Sequence, residues 1–226
     1  MRHFLRRKIA AALTAAMLFS VAPVNQSLIS FAAASTKKTN SKSTKSEKKE
    51  LSLGSVKKNV YENDYFGLKL AVPDGFIFGD AAAVAEIDGS TEKFIKDKDA
   101  VIKSIKEGNP VTIAYAENED TLDNICVTIS LSDGETDIKK MFEDSIPDIK
   151  DSLKEAGIKT KDVSVVKKKV SGKDTYLLSA HGLLDDEYDI YQKEYMGIQD
   201  DYYICIAFTS FVTDDTDDMI KLIELK

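Results

Sequence analysis

Few residues in this sequence could do chemistry, and their spacing limits what that chemistry would be. His181 is the one histidine beyond the first ten residues. An acyl-transfer triad needs a nucleophile beside the imidazole and a third group orienting it. Neither G-x-S-x-G nor a catalytic-type cysteine context occurs, so His181 is expected to be structural or exposed. The two cysteines, Cys126 in "NICVTISL" and Cys205 in "YYICIAFTS", have no C-x-x-C spacing and no histidine pair with which to hold zinc. In an oxidising compartment they could form a disulfide, provided that adjacent strands bring their Cα atoms to about 4.4–6.8 Å. Two buried thiols are the alternative.

Carboxylates cluster at "ENEDTLDN" (117–124), "LDDEYD" (184–189) and "DDTDD" (214–218). Glu117, Asp120, Asp123, Asp185 and Asp186 are the candidate ligands if a calcium ion were held. None of the clusters has the alternating acids and central glycine of an EF-hand, and solvated loops are the expectation. A carboxylate pair could also serve glycoside hydrolysis, but the chain has no tryptophan to stack a sugar. The glycines form no phosphate cradle, and no cofactor is expected. Tyrosines crowd the last third of the chain. Alternation puts Tyr191, Lys193 and Tyr195 on one face of a strand, opposite Tyr188, Ile190 and Met196. That face is either cross-strand packing or a partner surface.

Charge narrows the function further. Residues 59–226 carry 19 lysines against 36 acids and no arginine. Neutralising phosphates drives nucleic-acid binding, so an acidic domain without guanidinium forks is not a nucleic-acid binder. The positive charge lies upstream. Arg2, Arg6, Arg7 and Lys8 precede an apolar run, Ile9 to Val24, and Ala32-Ala33-Ala34 supplies small residues for cleavage. Residues 1–34 therefore read as a secretory signal peptide. Residues 35–58 hold eight lysines among serine, threonine and asparagine, and too little apolar surface to offset ordering entropy. They read as a flexible basic linker, and 59–226 as a single domain. No transmembrane segment is expected once the leader is removed.

The elements that must position these groups follow from periodicity. Phe66 to Val72 alternates as a strand after the turn at Glu62-Asn63-Asp64, placing Tyr65 and Phe66 on opposite sheet faces. Residues 80–108 read as two helical pieces broken at Asp88-Gly89. Strands at 111–117 and 124–131 flank an acidic turn. Ile138, Met141, Phe142, Ile146, Ile149, Leu153 and Ala156 form the strongest amphipathic helix, which Pro147 should kink or split. Four strands joined by short turns, 163–170, 175–183, 188–198 and 202–210, predict a meander. A last helix from about Thr213 would bury Met219, Ile220, Leu222 and Ile223. Both parities of the 202–210 strand are apolar, so helices should cover both faces. The fold class is α+β: a three-layer α/β/α sandwich around a central, mainly antiparallel sheet.

"VYENDYFGLKLAVPDGF", "EIDGST", "ENEDTLDNICVTISL", the long helix and "IYQKEY…DDYYICIAFTS" together resemble the PsbP/Mog-like fold. The version resembled is that of secreted proteins of Gram-positive gut bacteria, and the likeness covers 59–225. Phe76 departs from it, because tryptophan often follows the Pro-x-Gly turn there. The resemblance implies a non-enzymatic module, since relatives with known roles dock on photosystem II or on a small GTPase. The expectation is a secreted or cell-surface accessory module, monomeric, that binds a protein or a cell-wall component. The alternatives are a carboxylate-dependent hydrolase of wall or dietary polymer and a calcium-stabilised surface protein.

Overall fold

The computed structural model describes residues 49–226. The expected signal peptide and most of the expected linker lie outside the described residues. Seven antiparallel strands make the main sheet, in the order β4-β5-β6-β10-β9-β8-β7. They are β4 (Phe76–Phe78), β5 (Val111–Asn118), β6 (Asn124–Leu131), β7 (Ile158–Val170), β8 (Lys173–Leu184), β9 (Tyr188–Gln199) and β10 (Tyr202–Phe211). The last four form the expected meander, and β10 then pairs with β6 in the interior.

Alternation divides the core in two. Ile204, Ile206 and Phe208 of β10 join one cluster, and Tyr203, Cys205 and Phe211 join the other. The back face is covered by α4 (Ile138–Glu155), whose Met141, Phe142, Ile149 and Leu153 pack with Leu178, Met196 and Tyr203. Phe142 is fully buried, and truncating such a side chain to alanine costs about 3–5 kcal/mol. Asp137 caps this helix by accepting from the Lys140 amide, and Gly157 follows it with φ 75°. Pro147 neither breaks nor splits the helix. It sits on the solvent side, where a missing amide hydrogen bond is most easily tolerated.

The front face is built differently from expectation. Its cover combines α3 (Lys98–Lys106) and α5 (Thr216–Ile220) with a second, four-stranded sheet in the order β1-β2-β3-β11. Its strands are β1 (Ser55–Lys57), β2 (Val60–Asn63), β3 (Leu68–Ala71) and β11 (Ile223–Leu225). Tyr61, Leu68, Leu70 and Ile223 of this sheet join Val101, Ile105, Met219 and Ile220 over the front core.

Three expectations change accordingly. Tyr65 and Phe66 lie in the turn before β3, not on opposite faces of a strand. The final helix is a single turn, after which Ile223 pairs with Leu70 as a strand. The folded part also begins before residue 59. Leu51 is buried, the Tyr61 hydroxyl donates to the Leu53 carbonyl at 2.9 Å, and the Asn63 side-chain Nδ2 donates to the Ser52 carbonyl at 2.9 Å. Gly54 (φ 73°) fits this corner because a Cβ there would lie 2.6 Å from the Glu62 carbonyl oxygen.

The helical stretch is three pieces: α1 (Ala81–Asp88), α2 (Glu92–Lys96) and α3. Here the chain also protects a sheet edge. The Gly79 amide donates to the Tyr115 carbonyl, and Asp88 accepts from the Thr112 amide at 2.7 Å. The opposite edge, β7, exposes Lys159, Lys161, Lys167, Lys168 and Lys169, charges that discourage edge-to-edge pairing. Among the described residues no helix is long and apolar enough to cross a membrane.

Candidate ligand-binding groove at a fork in the sheet

The main sheet is not continuous along its whole length. The β7–β8 ladder runs to the pair Val170–Lys173, and the β9–β10 ladder runs to Gln199–Tyr202. Between them, the β8–β9 ladder stops at Leu177–Tyr195. Beyond that pair, residues 173–176 pair only with β7 and residues 196–199 only with β10. The two hairpins therefore part as a fork, and a groove of about 330 Å³ lies in it. That volume falls at the low end of the range of small-ligand sites.

The walls follow from local bonding. On one side the Tyr65 hydroxyl lies 3.2 Å from the Gln199 carbonyl oxygen and 3.1 Å from Asp200, which fixes the Phe66–Gly67 turn against the β9–β10 turn. On the other side the Leu225 amide donates to the Ser171 hydroxyl at 3.0 Å, joining the C-terminal strand to the β7–β8 turn. Lys173 reaches the Lys226 carbonyl at 3.4 Å, and the Lys226 ammonium meets Asp64 at 2.7 Å. Ile138, at the start of α4, closes the far end. The floor holds Tyr195, whose ring is buried in the front core. Gly197 lies two residues on, and a Cβ there would stand 3.2 Å from the Tyr195 hydroxyl. The glycine thus leaves room for the phenol at the floor of the groove, where burial pushes its pKa up to about 12.

A second, shallower depression of about 500 Å³ adjoins the first through Ile138, Asp174 and Thr175, and is bordered by Lys139, Lys167 and Tyr176. Asp174 does not make this region acidic. It is held by Lys169 at 2.8 Å and Lys167 at 3.7 Å, and these lysines keep its carboxyl below the usual carboxylate range.

The residues singled out in the sequence are distributed otherwise. Tyr191, Lys193 and Tyr195 do share a face, but they do not form an open surface. Lys193 is buried and paired with Asp217 at 2.8 Å and Asp214 at 3.4 Å, while Tyr191 stacks on His181 at 4.4 Å between ring centroids. His181 Nε2 lies 2.7 Å from Asp189, which also receives Lys161 at 2.6 Å. These two partners hold the Asp189 carboxyl low.

Cys126 and Cys205 are free and buried. Cys126 pairs with Ala207 and Cys205 with Thr128, so the cysteines are diagonal neighbours, a placement with wider Cα spacing than a disulfide favours. Burial raises both thiol pKa values, Cys126 to about 12.

Three of the candidate calcium ligands, Glu117, Asp123 and Asp186, have carboxylates that meet other groups of the chain. Asp123 is buried, accepting from the Phe211 amide at 2.9 Å and the Thr121 hydroxyl at 2.7 Å, and desolvation raises its pKa. Glu117 accepts from the Tyr115 hydroxyl, and the Asp120 amide bonds Asn118. Asp185 and Asp186 occupy a left-handed turn, with Asp186 3.7 Å from Lys159. Among the described residues no group of three metal-ligating side chains converges.

One group escaped sequence reasoning. Glu194, in the middle of β9, is fully buried on the back face, where its carboxyl accepts from Gln192 at 3.0 Å and Cys205 at 3.5 Å. Desolvation raises its pKa to about 8. Parity offered the signal, since Glu194 falls between Ile190 and Met196 on a face read as apolar.

No protein-family model and no curated protein matches the chain. Among solved structures it is similar to the solution structure of cyanobacterial PsbP (CyanoP) from Synechocystis sp. PCC 6803. The two are 13% identical with a TM-score of 0.43, over 74% of this chain and 91% of that one. This likeness is one of fold. The α+β class with mainly antiparallel sheets stands on the strand orders themselves.

Proposed function

We propose that this chain is a secreted or cell-surface binding module that holds a partner protein or cell-wall component without turning it over. The observation that carries the reading is the fork between β8 and β9. Its lining combines a phenol hydroxyl, strand backbone, apolar side chains, two lysines and Asp174, whose carboxylate is held by Lys167 and Lys169. Among the described residues the two carboxyls with raised pKa, Asp123 and Glu194, are spent on bonds inside the fold, so neither supports the hydrolase alternative. Export follows from the leader, and the basic segment after it would keep the domain clear of the surface it serves.

The test is capture from native culture fluid and envelope extract, with the wild-type domain and with Thr175→Arg, which fills the groove. Retention of a ligand by the wild type, its loss from the variant and its recovery chemically unchanged are the expected results. Recovery of a cleaved or modified ligand, or equal capture by the variant, overturns the reading.

A further inference from the structure

We infer that the fork accepts an extended, acidic peptide segment of a partner protein by strand addition between β8 and β9. This rests on the reading of the chain as a binding module and specifies how that module binds.

The backbone accounting points there first. Interior strands of a sheet bond on both sides, yet residues 173–176 of β8 and 196–199 of β9 are each paired on one side only. Unpaired strand edges are templates for another strand, and proteins ordinarily block them. This chain blocks its outer edges. β7 carries five exposed lysines, β4 is three residues long, and the remaining edge of β5 is met by Gly79 and Asp88. Between the inner pair of edges lies a groove instead. Each edge offers about four residues, or about 13 Å of extended chain at a strand's rise per residue.

The second observation is the Tyr195 phenol. The residue is 6% exposed, and its hydroxyl lies over Gly197 at the groove floor. Burial raises its pKa, so it stays a protonated donor. The ring is largely buried while its hydroxyl faces the groove, where it can donate to a carbonyl or carboxylate oxygen. Charge selects the occupant. Lys173 and Lys226 line the groove; Lys226 is paired with Asp64, Lys139 with Glu143, and Asp174, the one carboxylate lining the groove, with Lys167 and Lys169, while Lys173 reaches a backbone carbonyl. Lys173 thus lines the groove against a carbonyl rather than a carboxylate, which favours glutamate or aspartate on the incoming strand.

The probe is a capped seven-residue peptide of alternating valine and glutamate, added to the secreted chain at up to millimolar concentration. Amide hydrogen exchange is expected to slow about ten-fold or more at the alternate amides of residues 173–176 and 196–199 that face away from β7 and β10, because these amides become bonded. The same peptide N-methylated at alternate residues, and a version with lysine for glutamate, should bind at least about ten-fold more weakly, through loss of backbone donors and of charge match. Absence of slowed exchange at the fork-facing amides, or equal binding by the N-methylated peptide, overturns strand addition. If the capture experiment still returns a ligand sensitive to Thr175→Arg, the binding-module reading survives that failure. If neither experiment shows a ligand, both fall.

Discussion

The hydroxyl of Tyr65 lies 3.2 Å from the backbone carbonyl oxygen of Gln199, and this contact joins the small sheet to the far end of the large one. Tyr65 comes from the turn before β3 and Gln199 from the end of β9, 134 residues later. Its ring also packs edge-on against Tyr202 at 6.2 Å. The pair holds the β9–β10 hairpin to the front layer while the β7–β8 hairpin is tied to the C-terminal strand, and the fork opens between the two attachments.

Tyr65→Phe keeps the ring and removes the bond. A loss of about 0.5–1.5 kcal/mol is expected, the ordinary contribution of one intramolecular hydrogen bond. Urea denaturation checks it through a lower midpoint at unchanged m-value. A change in m, or no change in midpoint, would show that the hydroxyl does not hold the sheets together.

Glu194 makes stability depend on pH in a direction opposite to that of a salt-bridged acid. Its pKa is about 8 in the fold and about 4.3 in an unfolded chain. Between those values the folded state holds a proton that the unfolded state has lost. Stability is therefore greatest below about pH 4 as far as this group is concerned, falls by up to about 1.4 kcal/mol per pH unit through the window, and levels off above about pH 8. Glu194→Gln should flatten that slope, so that the variant loses less melting temperature than wild type between pH 6 and pH 9. Parallel melting curves for the two proteins would place the titration elsewhere.

Much of this fold was legible because its signals are local. The alternation of Ile204, Ile206 and Phe208 against Tyr203 and Cys205 identified a strand buried on both sides, and the three-to-four spacing from Ile138 to Leu153 identified the helix behind it. The small sheet was not legible. Ser55–Lys57 is exposed throughout and has no apolar pattern; it is a strand because Tyr61 and Asn63 anchor the residues before it. Ile223–Leu225 mimics the last turn of a helix in spacing, and only its pairing with β3, more than 150 residues away, makes it a strand. The groove is hidden for a similar reason. Where the β8–β9 ladder stops is decided by what each hairpin is tied to, which no run of residues within either strand records.

The two cysteines should behave as inert core residues. Both are buried with raised pKa values, and thiolate is the reactive form. A thiol reagent such as Ellman's is expected to label neither in the native protein and both in denaturant. Non-reducing mass analysis of the secreted protein should find two free thiols. A mass two hydrogens lower would mean that the strands shift enough to bridge Cys126 and Cys205.

Asp123 tests whether the acidic loop works for the fold or for a metal. Its two oxygens take the Phe211 amide and the Thr121 hydroxyl, tying the start of β6 to the end of β10. Asp123→Ala should cost about 1–3 kcal/mol, because the buried Phe211 amide is left without an acceptor. Calcium that bound only the folded state would have to raise the midpoint. With the Asp123 oxygens already occupied, millimolar calcium is expected to leave the wild-type melting temperature unchanged. A calcium-dependent rise that Asp123→Ala abolishes would turn this loop into a metal site.

Pro147 sits ten residues into an unbroken eighteen-residue helix, exposed, with Ile146 and Ile149 packed against the back core. Proline there has no amide hydrogen to offer the Glu143 carbonyl, and its ring crowds that carbonyl. Water can reach the solvent side, which is how the helix continues without splitting. Pro147→Ala restores the bond and relieves the crowding, at the cost of a more flexible unfolded chain. The helix term is the larger, about 3 kcal/mol between these residues in a helix interior, against about 1 kcal/mol or less for the unfolded-state effect. The variant should therefore be more stable by about 1–2 kcal/mol, read as a higher denaturant midpoint. A less stable variant would mean that the backbone geometry set by Pro147 is what seats Phe142 and Ile149 on the sheet.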